Sequence, residues 1–208
     1  MKRIILLLII VILGVAACAT PAVEVAESVM ESTVDLMDDD EGQEPESNDE
    51  MMDTATVVLP AWYDWSLTEV TTGEVFKIND FQGKVVLVET MAVWCTNCFK
   101  QQNEVVRLLS LQDMQDDLVS LGINIDPNED AALLGNYVQK NGFDWLYTVA
   151  SPELIGEITT LYGPQFLNPP SSPMFVIDKQ GEAHLLPFGT KSAEELRLYL
   201  QPFLDETG

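Results

Sequence analysis

The chain has 208 residues, with 34 acidic and 10 basic side chains and a formal net charge of -24. This balance argues against nucleic acid as a partner and against docking on anionic lipid headgroups by charge alone, because both need clusters of basic residues. The apolar fraction of 47% is enough for a core, and the length predicts one domain with appendages.

The amino terminus predicts an export signal over residues 1–17. Lys2 and Arg3 precede an apolar run, Ile4 to Ala17, that reaches about 21 Å as a helix, short of the ~30 Å hydrocarbon core of a bilayer. A basic start, a short apolar run and small residues at its end are typical of a secretory signal. The segment Val15-Ala16-Ala17-Cys18 resembles the bacterial lipobox, which implies cleavage before Cys18 and lipid attachment to its sulfur. A plain signal peptide with an incidental cysteine is the alternative.

Residues 18–55 are predicted to form an acidic, disordered tether. Thirteen acidic residues lie between Glu24 and Asp53, and residues 18–55 contain no Lys, Arg or aromatic residue. Such a run cannot bury a core, and the repulsion between its like charges extends it. We interpret it as a spacer, with a docking tail for a basic partner as the alternative, and we expect the folded domain over residues 56–208.

The rest of the chain predicts alternating strands and helices. Short apolar stretches within 57–76 favour an antiparallel hairpin, and the β-branched run of residues 85–88 is typical of a strand buried on both faces. The later patterns predict helices over 96–112, 126–140, 152–162 and 192–204, and strands over 118–125, 145–149, 174–177 and 183–186. This order predicts an α/β fold, in which a central mixed sheet is flanked by helices on both faces, with an N-terminal β-hairpin extension.

Two cysteines three residues apart, Cys95 and Cys98, follow the buried strand and begin a helix. This spacing lets a disulfide close with little backbone movement, and the helix amino terminus stabilises a thiolate on Cys95. That thiolate is the nucleophile of thiol–disulfide exchange, and Cys98 is the expected resolving thiol. A structural disulfide and half of a metal site are the alternatives, although no further metal ligands lie nearby in sequence. We expect redox activity, with no metal.

With these residues in place, the sequence resembles the thioredoxin superfamily over most of residues 56–205, and most closely the membrane-anchored, TlpA-like thiol–disulfide oxidoreductases. The resemblance implies a thioredoxin-like fold with Trp94-Cys95-Thr96-Asn97-Cys98 as the active-site motif. It places Glu89 where the family keeps a buried acid that exchanges protons with the resolving thiol. Ser172-Pro173 falls where the family has a cis-proline facing the disulfide. The catalytic residues implied are Cys95, Cys98, Glu89 and Pro173, supported by Trp94, Thr96, Asn97 and Ser172.

The sequence departs from the family pattern between and after the cysteines. Thr96-Asn97 replaces the proline-containing dipeptide of many relatives, so the direction of electron flow is left open. Gln101 stands where some cytochrome-maturation relatives carry a glutamate. For Glu89, the alternative is that its side chain points to the sheet edge and pairs with Lys84 or another base.

The function expected is disulfide exchange with protein thiols and disulfides on the outer face of a bacterial membrane or in the periplasm. The lipid on Cys18 would attach the protein to the membrane, and a membrane thiol reductase is a possible electron donor. No dissociable cofactor is required. The alternative is a non-catalytic thioredoxin-fold binding module, including a Sco-like copper carrier. Sco-like carriers have a histidine just before the strand that corresponds to residues 174–177, whereas His184 of this chain lies after that strand.

Overall fold

The computed structural model describes residues 59–111 and 116–206. The predicted signal peptide (1–17), lipidated Cys18 and tether (18–55) lie outside these ranges and stay predictions. The strands are β1 (Leu67–Thr68), β2 (Val75–Phe76), β3 (Val85–Met91), β4 (Leu118–Asn124), β5 (Leu146–Val149), β6 (Met174–Ile177) and β7 (Ala183–Leu185). The helices are α1 (Thr96–Leu109), α2 (Ala131–Asn141), α3 (Pro152–Tyr162) and α4 (Ala193–Asp205). In these two ranges no helix has the length and apolar character needed to cross a membrane.

Five strands form one mixed sheet in the order β5-β4-β3-β6-β7. The strands β3, β4 and β5 are parallel, whereas β6 is antiparallel to β3 and β7 to β6. The parallel pairs need crossovers, which α1 and α2 supply, while a tight turn joins β6 to β7. The α/β class and the mixed sheet predicted from the sequence are confirmed.

The predicted N-terminal hairpin is also confirmed, although it is short. The strands β1 and β2 pair through Leu67 with Phe76 and Thr68 with Val75. The backbone N–H of Val70 donates to the carbonyl of Tyr147 at 3.0 Å, so the hairpin lies beside β5 at the edge of the large sheet.

Alternation along β3 divides the core into two faces. All seven residues of β3 are buried, as expected for a strand covered on both sides. Val86 and Val88 pack among the side chains of a cluster that includes Trp62 and Phe175. Val85 and Leu87 face the opposite way, towards residues of α1 and α4. Each fully buried aliphatic side chain contributes about 1.5–3 kcal/mol to folding, and this packing fixes β3 as the central element behind the cysteines.

Two predicted helix boundaries are wrong. The helix expected from Asp126 begins at Ala131, because Asp130 caps it by accepting from the backbone N–H of Leu133 at 2.8 Å. Asp126 instead accepts from the backbone and side chain of Asn128 and so closes a turn before the helix. The helix expected over 96–112 ends at Leu109.

Candidate redox site

Cys95 and Cys98 lie where the carboxyl end of β3 passes into α1. They are joined by a disulfide, with their Cα atoms 5.3 Å apart. Cys95 occupies the N-cap position of α1, and its Sγ accepts from the backbone N–H of Cys98 at 3.0 Å. On reduction, this N–H and the positive end of the helix would stabilise a thiolate on Cys95.

Both cysteines are buried. Cys95 keeps 2% of its surface exposed, whereas Cys98 has none exposed. Cys95 caps the end of α1, and Cys98 lies within its first turn. The attacking role of Cys95 and the resolving role of Cys98 stay predictions.

A proline-rich loop that precedes β6 contacts the cysteine motif. The carbonyl oxygen of Pro169 lies 3.3 Å from Cys98 Sγ, which in the thiol form could donate to it. The Asn97 side-chain amide donates to the carbonyl of Pro170 at 2.8 Å. Neither proline was recognised from the sequence, and the only available signal was the Pro-Pro pair itself. Asn97 thus ties the segment between the two cysteines to the loop, while Thr96 is exposed.

The cis peptide bond expected before Pro173 is wrong, because the bond is trans in the structure. Trans is the isomer that X–Pro bonds intrinsically prefer, and Ser172 turns the chain by adopting a left-handed conformation with φ of 48°. Pro173 is buried, and its carbonyl accepts from the backbone N–H of Thr90 at 3.2 Å. The Ser172 hydroxyl lies 3.4 Å from that of Thr190. Ser172 and Pro173 therefore set the path of the loop into β6.

The side chain of Trp94, which the resemblance names as a supporting residue of the motif, lies largely in solvent. It is 58% exposed, and its indole N–H donates to a carboxylate oxygen of Asp126 at 2.6 Å. This bond links the segment before Cys95 to the turn after β4. Trp94 thus presents an aromatic surface next to the cysteine motif in sequence.

Glu89 lies in the middle of β3, and its side chain is buried. Burial raises the pKa of its carboxyl to about 8, against the opposing effects of the Gln102 side chain and of the Lys191 charge. One carboxyl oxygen, Oε1, finds no hydrogen-bond partner within the described ranges. The alternative of a sheet-edge Glu89 paired with Lys84 is wrong, since Lys84 is exposed and precedes the strand. A buried acid that changes its charge near neutral pH can act as a proton acceptor.

A second buried polar group, which sequence reasoning missed, joins α1 to the segment before α4. The Gln101 side chain accepts from the backbone N–H of Lys191 at 2.7 Å and donates to its carbonyl at 3.1 Å. The Lys191 ammonium donates to the carbonyl of Gly189, whose N–H donates to the carbonyl of Ser171. Burial lowers the pKa of Lys191. The side-chain amide of Gln101 thus holds the segment before α4 against α1.

The described residues contain one group of three possible metal ligands, Asp178, Glu182 and His184. His184 Nε2 lies 2.6 Å from a carboxylate oxygen of Asp178. The other oxygen of Asp178 accepts backbone N–H groups of its own turn. These bonds account for the group as a turn that supports the β6–β7 hairpin. It includes neither cysteine, so no observation favours the copper-carrier alternative.

No protein-family model matches the sequence, and a search of the curated proteins gives no match. Solved structures do match. A thioredoxin-family thiol:disulfide interchange protein from Chlorobium tepidum TLS is 23% identical with a TM-score of 0.57, over 67% of this chain and 92% of that chain. A secreted Mycobacterium tuberculosis disulfide oxidoreductase is 14% identical with a TM-score of 0.53, over 66% and 95%. The exposed lipoprotein thioredoxin Etrx1 from Streptococcus pneumoniae TIGR4 is 20% identical with a TM-score of 0.54, over 66% and 98%.

These similarities show that the chain has a thioredoxin-like fold, as its sequence motifs predicted. The disulfide-bonded pair Cys95–Cys98 lies at the start of α1, after the central strand of this fold. The chain therefore combines the fold of its structural neighbours with a cysteine pair able to open and close as a disulfide.

Proposed function

We propose that this protein is an extracytoplasmic thiol–disulfide oxidoreductase of the TlpA-like kind, which acts on protein thiols and disulfides and is lipid-anchored through Cys18. The observation that carries the proposal is the position of the cysteine pair. Cys95 supplies its sulfur as the N-cap of α1, and Cys98 lies buried one turn further on. The neighbours described as interchange proteins and as an exposed lipoprotein support the same class and location.

In the reducing direction, the Cys95 thiolate attacks a client disulfide, forms a mixed disulfide and releases one client thiolate, which takes a proton from solvent. Cys98 then gives its proton to Glu89 and attacks the Cys95 sulfur. This attack closes the Cys95–Cys98 disulfide and releases the second client sulfur as a thiolate. Two electrons pass to the client, and another dithiol protein, such as a membrane thiol reductase, must return them. The oxidising direction is the reverse of these steps.

The decisive test is trapping of the mixed disulfide in cells that express the full chain. Cys98→Ser lets Cys95 attack but removes the resolving thiol, so mixed disulfides with client proteins should accumulate on non-reducing gels. The matched variant Cys95→Ser lacks the attacking sulfur and should trap nothing. Equal trapping by both variants, or by neither, would refute the exchange function.

Cys18→Ser tests the anchor separately. It removes the lipid attachment site that the lipobox resemblance implies, so the variant should no longer incorporate labelled fatty acid. Unchanged labelling would refute lipidation of Cys18 without touching the exchange function. The reduction potential of the Cys95–Cys98 couple then gives the direction, since about -270 mV is typical of a reductant and about -120 mV of an oxidant.

A further inference from the structure

Three buried polar atoms on the side of the sheet covered by α1 and α2 find no hydrogen-bond partner among residues 59–111 and 116–206. They are Glu89 Oε1 on β3, Gln102 Nε2 on α1 and the Tyr147 hydroxyl on β5. Buried polar groups without a partner are rare in native proteins, and three around one carboxyl need a common explanation.

The strand register brings Tyr147 towards Glu89. Gly122 on β4 is the direct neighbour of both residues, Glu89 on one side and Tyr147 on the other. The Tyr147 ring occupies the space of a side chain at Gly122, with ring carbons 2.5 Å from the position that a Cβ would take. The ring thus extends over β4 on the same face of the sheet as Glu89, and any larger residue at position 122 would exclude it.

Gln102 on α1 is the third residue with an unpartnered atom, and a hydrogen bond from Tyr137 fixes the orientation of its side chain. It lies four residues after Cys98 and therefore on the same face of the helix. Its Oε1 accepts from the hydroxyl of Tyr137 at 2.8 Å, which leaves its N–H groups to face the carboxyl of Glu89. The influence of the Gln102 side chain favours the ionised form of Glu89. Tyr137 is only half-buried on α2, so it links this interior group to the surface.

We propose that Gln102 and Tyr147 are positioning residues for Glu89, and that Tyr137 acts through Gln102. Gln102 Nε2, the Tyr147 hydroxyl and Glu89 Oε1 together bind one ordered water. The three atoms supply the two to four polar partners that a buried water needs. The water and the Gln102 N–H hold the carboxylate ready to take the proton of Cys98 in the resolving step. Removing either interaction makes ionisation of Glu89 less favourable. This inference rests on the proposed function.

Other titratable groups around Glu89 belong to different elements and can be separated by substitution. They are Lys191 before α4, Tyr137 on α2 and Tyr147 on β5. Tyr137→Phe and Tyr147→Phe each remove only a hydroxyl. Gln102→Met removes the amide at similar volume. Tyr162→Phe is the matched control, because its hydroxyl is also buried without a partner in the described part of the chain but belongs to the cluster on the opposite face of the sheet.

The test uses the full chain in detergent, with Cys18→Ser in every variant so that only Cys95 and Cys98 carry thiols. The reduced protein is mixed with an aryl disulfide whose thiolate product absorbs visible light. The first thiolate is released as Cys95 attacks, at a rate that depends on reagent concentration. The second is released as Cys98 resolves, at a rate that does not. The rate of this second phase is measured against pH and should rise as Glu89 ionises.

We expect Tyr137→Phe and Gln102→Met to shift the midpoint of the second phase to higher pH and to slow it several-fold at neutral pH. Tyr147→Phe should do the same to a smaller extent. Glu89→Gln should slow the phase on the order of 100-fold, the usual contribution of a general base. The rate of the first phase should be the same in all variants. Tyr162→Phe should match the reference protein, which carries only Cys18→Ser, in the rates of both phases.

The opposite results are equally clear. An unshifted midpoint in both Tyr137→Phe and Gln102→Met would overturn the positioning role. An equal shift in Tyr162→Phe would overturn it too. Should Gln102→Met fail to fold, Tyr137→Phe decides alone. Complete absence of a second phase in the unmodified chain would instead overturn the exchange function itself. A high-resolution crystal structure should show the water; a direct Glu89–Tyr147 hydrogen bond in its place would overturn the water site.

Discussion

The amino termini of α1 and α4 use the same local device for different purposes. At α4, the Ser192 hydroxyl accepts from the backbone N–H of Glu195 and the Glu195 carboxylate accepts from that of Ser192, a complete capping box on the surface. At α1, the cap is the sulfur of Cys95, and no acidic residue stands in the first turn. An oxygen cap with a nearby carboxylate satisfies two backbone N–H groups and offsets the positive end of the helix. A sulfur cap leaves the positive end of α1 available for the thiolate that forms on reduction.

The carboxyl groups associated with the two helices, Glu195 at α4 and Glu89 behind α1, differ in exposure and in the direction of their pKa shift. Glu195 is exposed, and hydrogen bonds from Ser192 lower the pKa of its carboxyl. Glu89, behind α1, is buried and its pKa is raised to about 8 because desolvation outweighs the help of Gln102 and Lys191. One carboxylate stabilises a helix end at neutral pH, whereas ionisation of the other in the folded protein costs stability. The comparison predicts effects of opposite sign when each is neutralised.

The largest effect on stability is expected from Glu89→Gln. The unfolded chain ionises Glu89 near pH 4.3, whereas the native protein holds the proton until about pH 8. The native state binds the extra proton between these values, so its stability falls as the pH rises from about 4.3 to 8. Glutamine avoids this loss, and near pH 8 the variant should be more stable by a few kcal/mol, at about 1.36 kcal/mol per pKa unit.

Denaturant unfolding of the oxidised protein across this pH range measures the difference. The two proteins should have similar stability near pH 4 and diverge above it. Glu195→Gln is the matched control with the opposite sign. The pKa of the Glu195 carboxyl is lower in the folded protein than in the unfolded chain. Glu195 therefore contributes stability above its unfolded pKa, and this contribution is lost as the pH falls. Stabilisation by both substitutions at neutral pH would break the comparison between the two carboxylates.

These local features explain what could be predicted from the sequence. The cysteine pair with the buried run before it is one local pattern, and the Ser192 cap is another. Each spans only a few residues, so local spacing encodes it. The pairing of Gln101 with Lys191, 90 residues away, has no local signature. The same holds for the pairing of Tyr137 with Gln102. The sequence left open whether the Glu89 side chain is buried or lies at the sheet edge, because a strand pattern does not show which of its side chains the neighbouring elements cover.

The errors at the helix boundaries and at Pro173 have a related cause. Asp126 and Asp130 both precede a helix-like run, and both can cap. The contacts of Asp126 with Trp94 and Asn128, which the pattern does not contain, decide between them. The trans bond before Pro173 accompanies the left-handed conformation of Ser172. A family resemblance transfers the residue more safely than it transfers the backbone conformation around it.

A smaller effect is expected from Ser192→Ala at the cap of α4. Loss of the side-chain acceptor and of the capping box should destabilise the protein by about 1 kcal/mol, which corresponds to roughly 2–4 °C in Tm for a domain of this size. The reduction potential of Cys95–Cys98 should not change, because this cap is separate from the redox pair. Thermal unfolding and a glutathione redox titration measure the two quantities. A shifted potential would show that the two helix ends are coupled.

The smallest effect, and the finest test of the comparison, comes from Thr96→Glu, which gives the first turn of α1 the acidic character of α4. Thr96 is exposed, so a carboxylate there acts through water and should raise the pKa of the Cys95 thiol by less than about one unit. A less stable thiolate favours the disulfide, and the potential should become more negative by less than about 30 mV. The same carboxylate should stabilise the oxidised protein by about 0.3–1 kcal/mol through the helix dipole.

Thiol alkylation against pH, redox titration and unfolding of the oxidised form measure these three changes, with Thr96→Gln as the uncharged control. A gain in fold stability together with a loss of thiolate stability would show that an acidic residue in the first turn of α1 competes with the thiolate for the same positive helix end. If the pKa of Cys95 is the same in Thr96→Glu and Thr96→Gln, the helix end does not stabilise the thiolate. The sulfur cap would then differ from the Ser192 cap only in the atom that accepts the hydrogen bond.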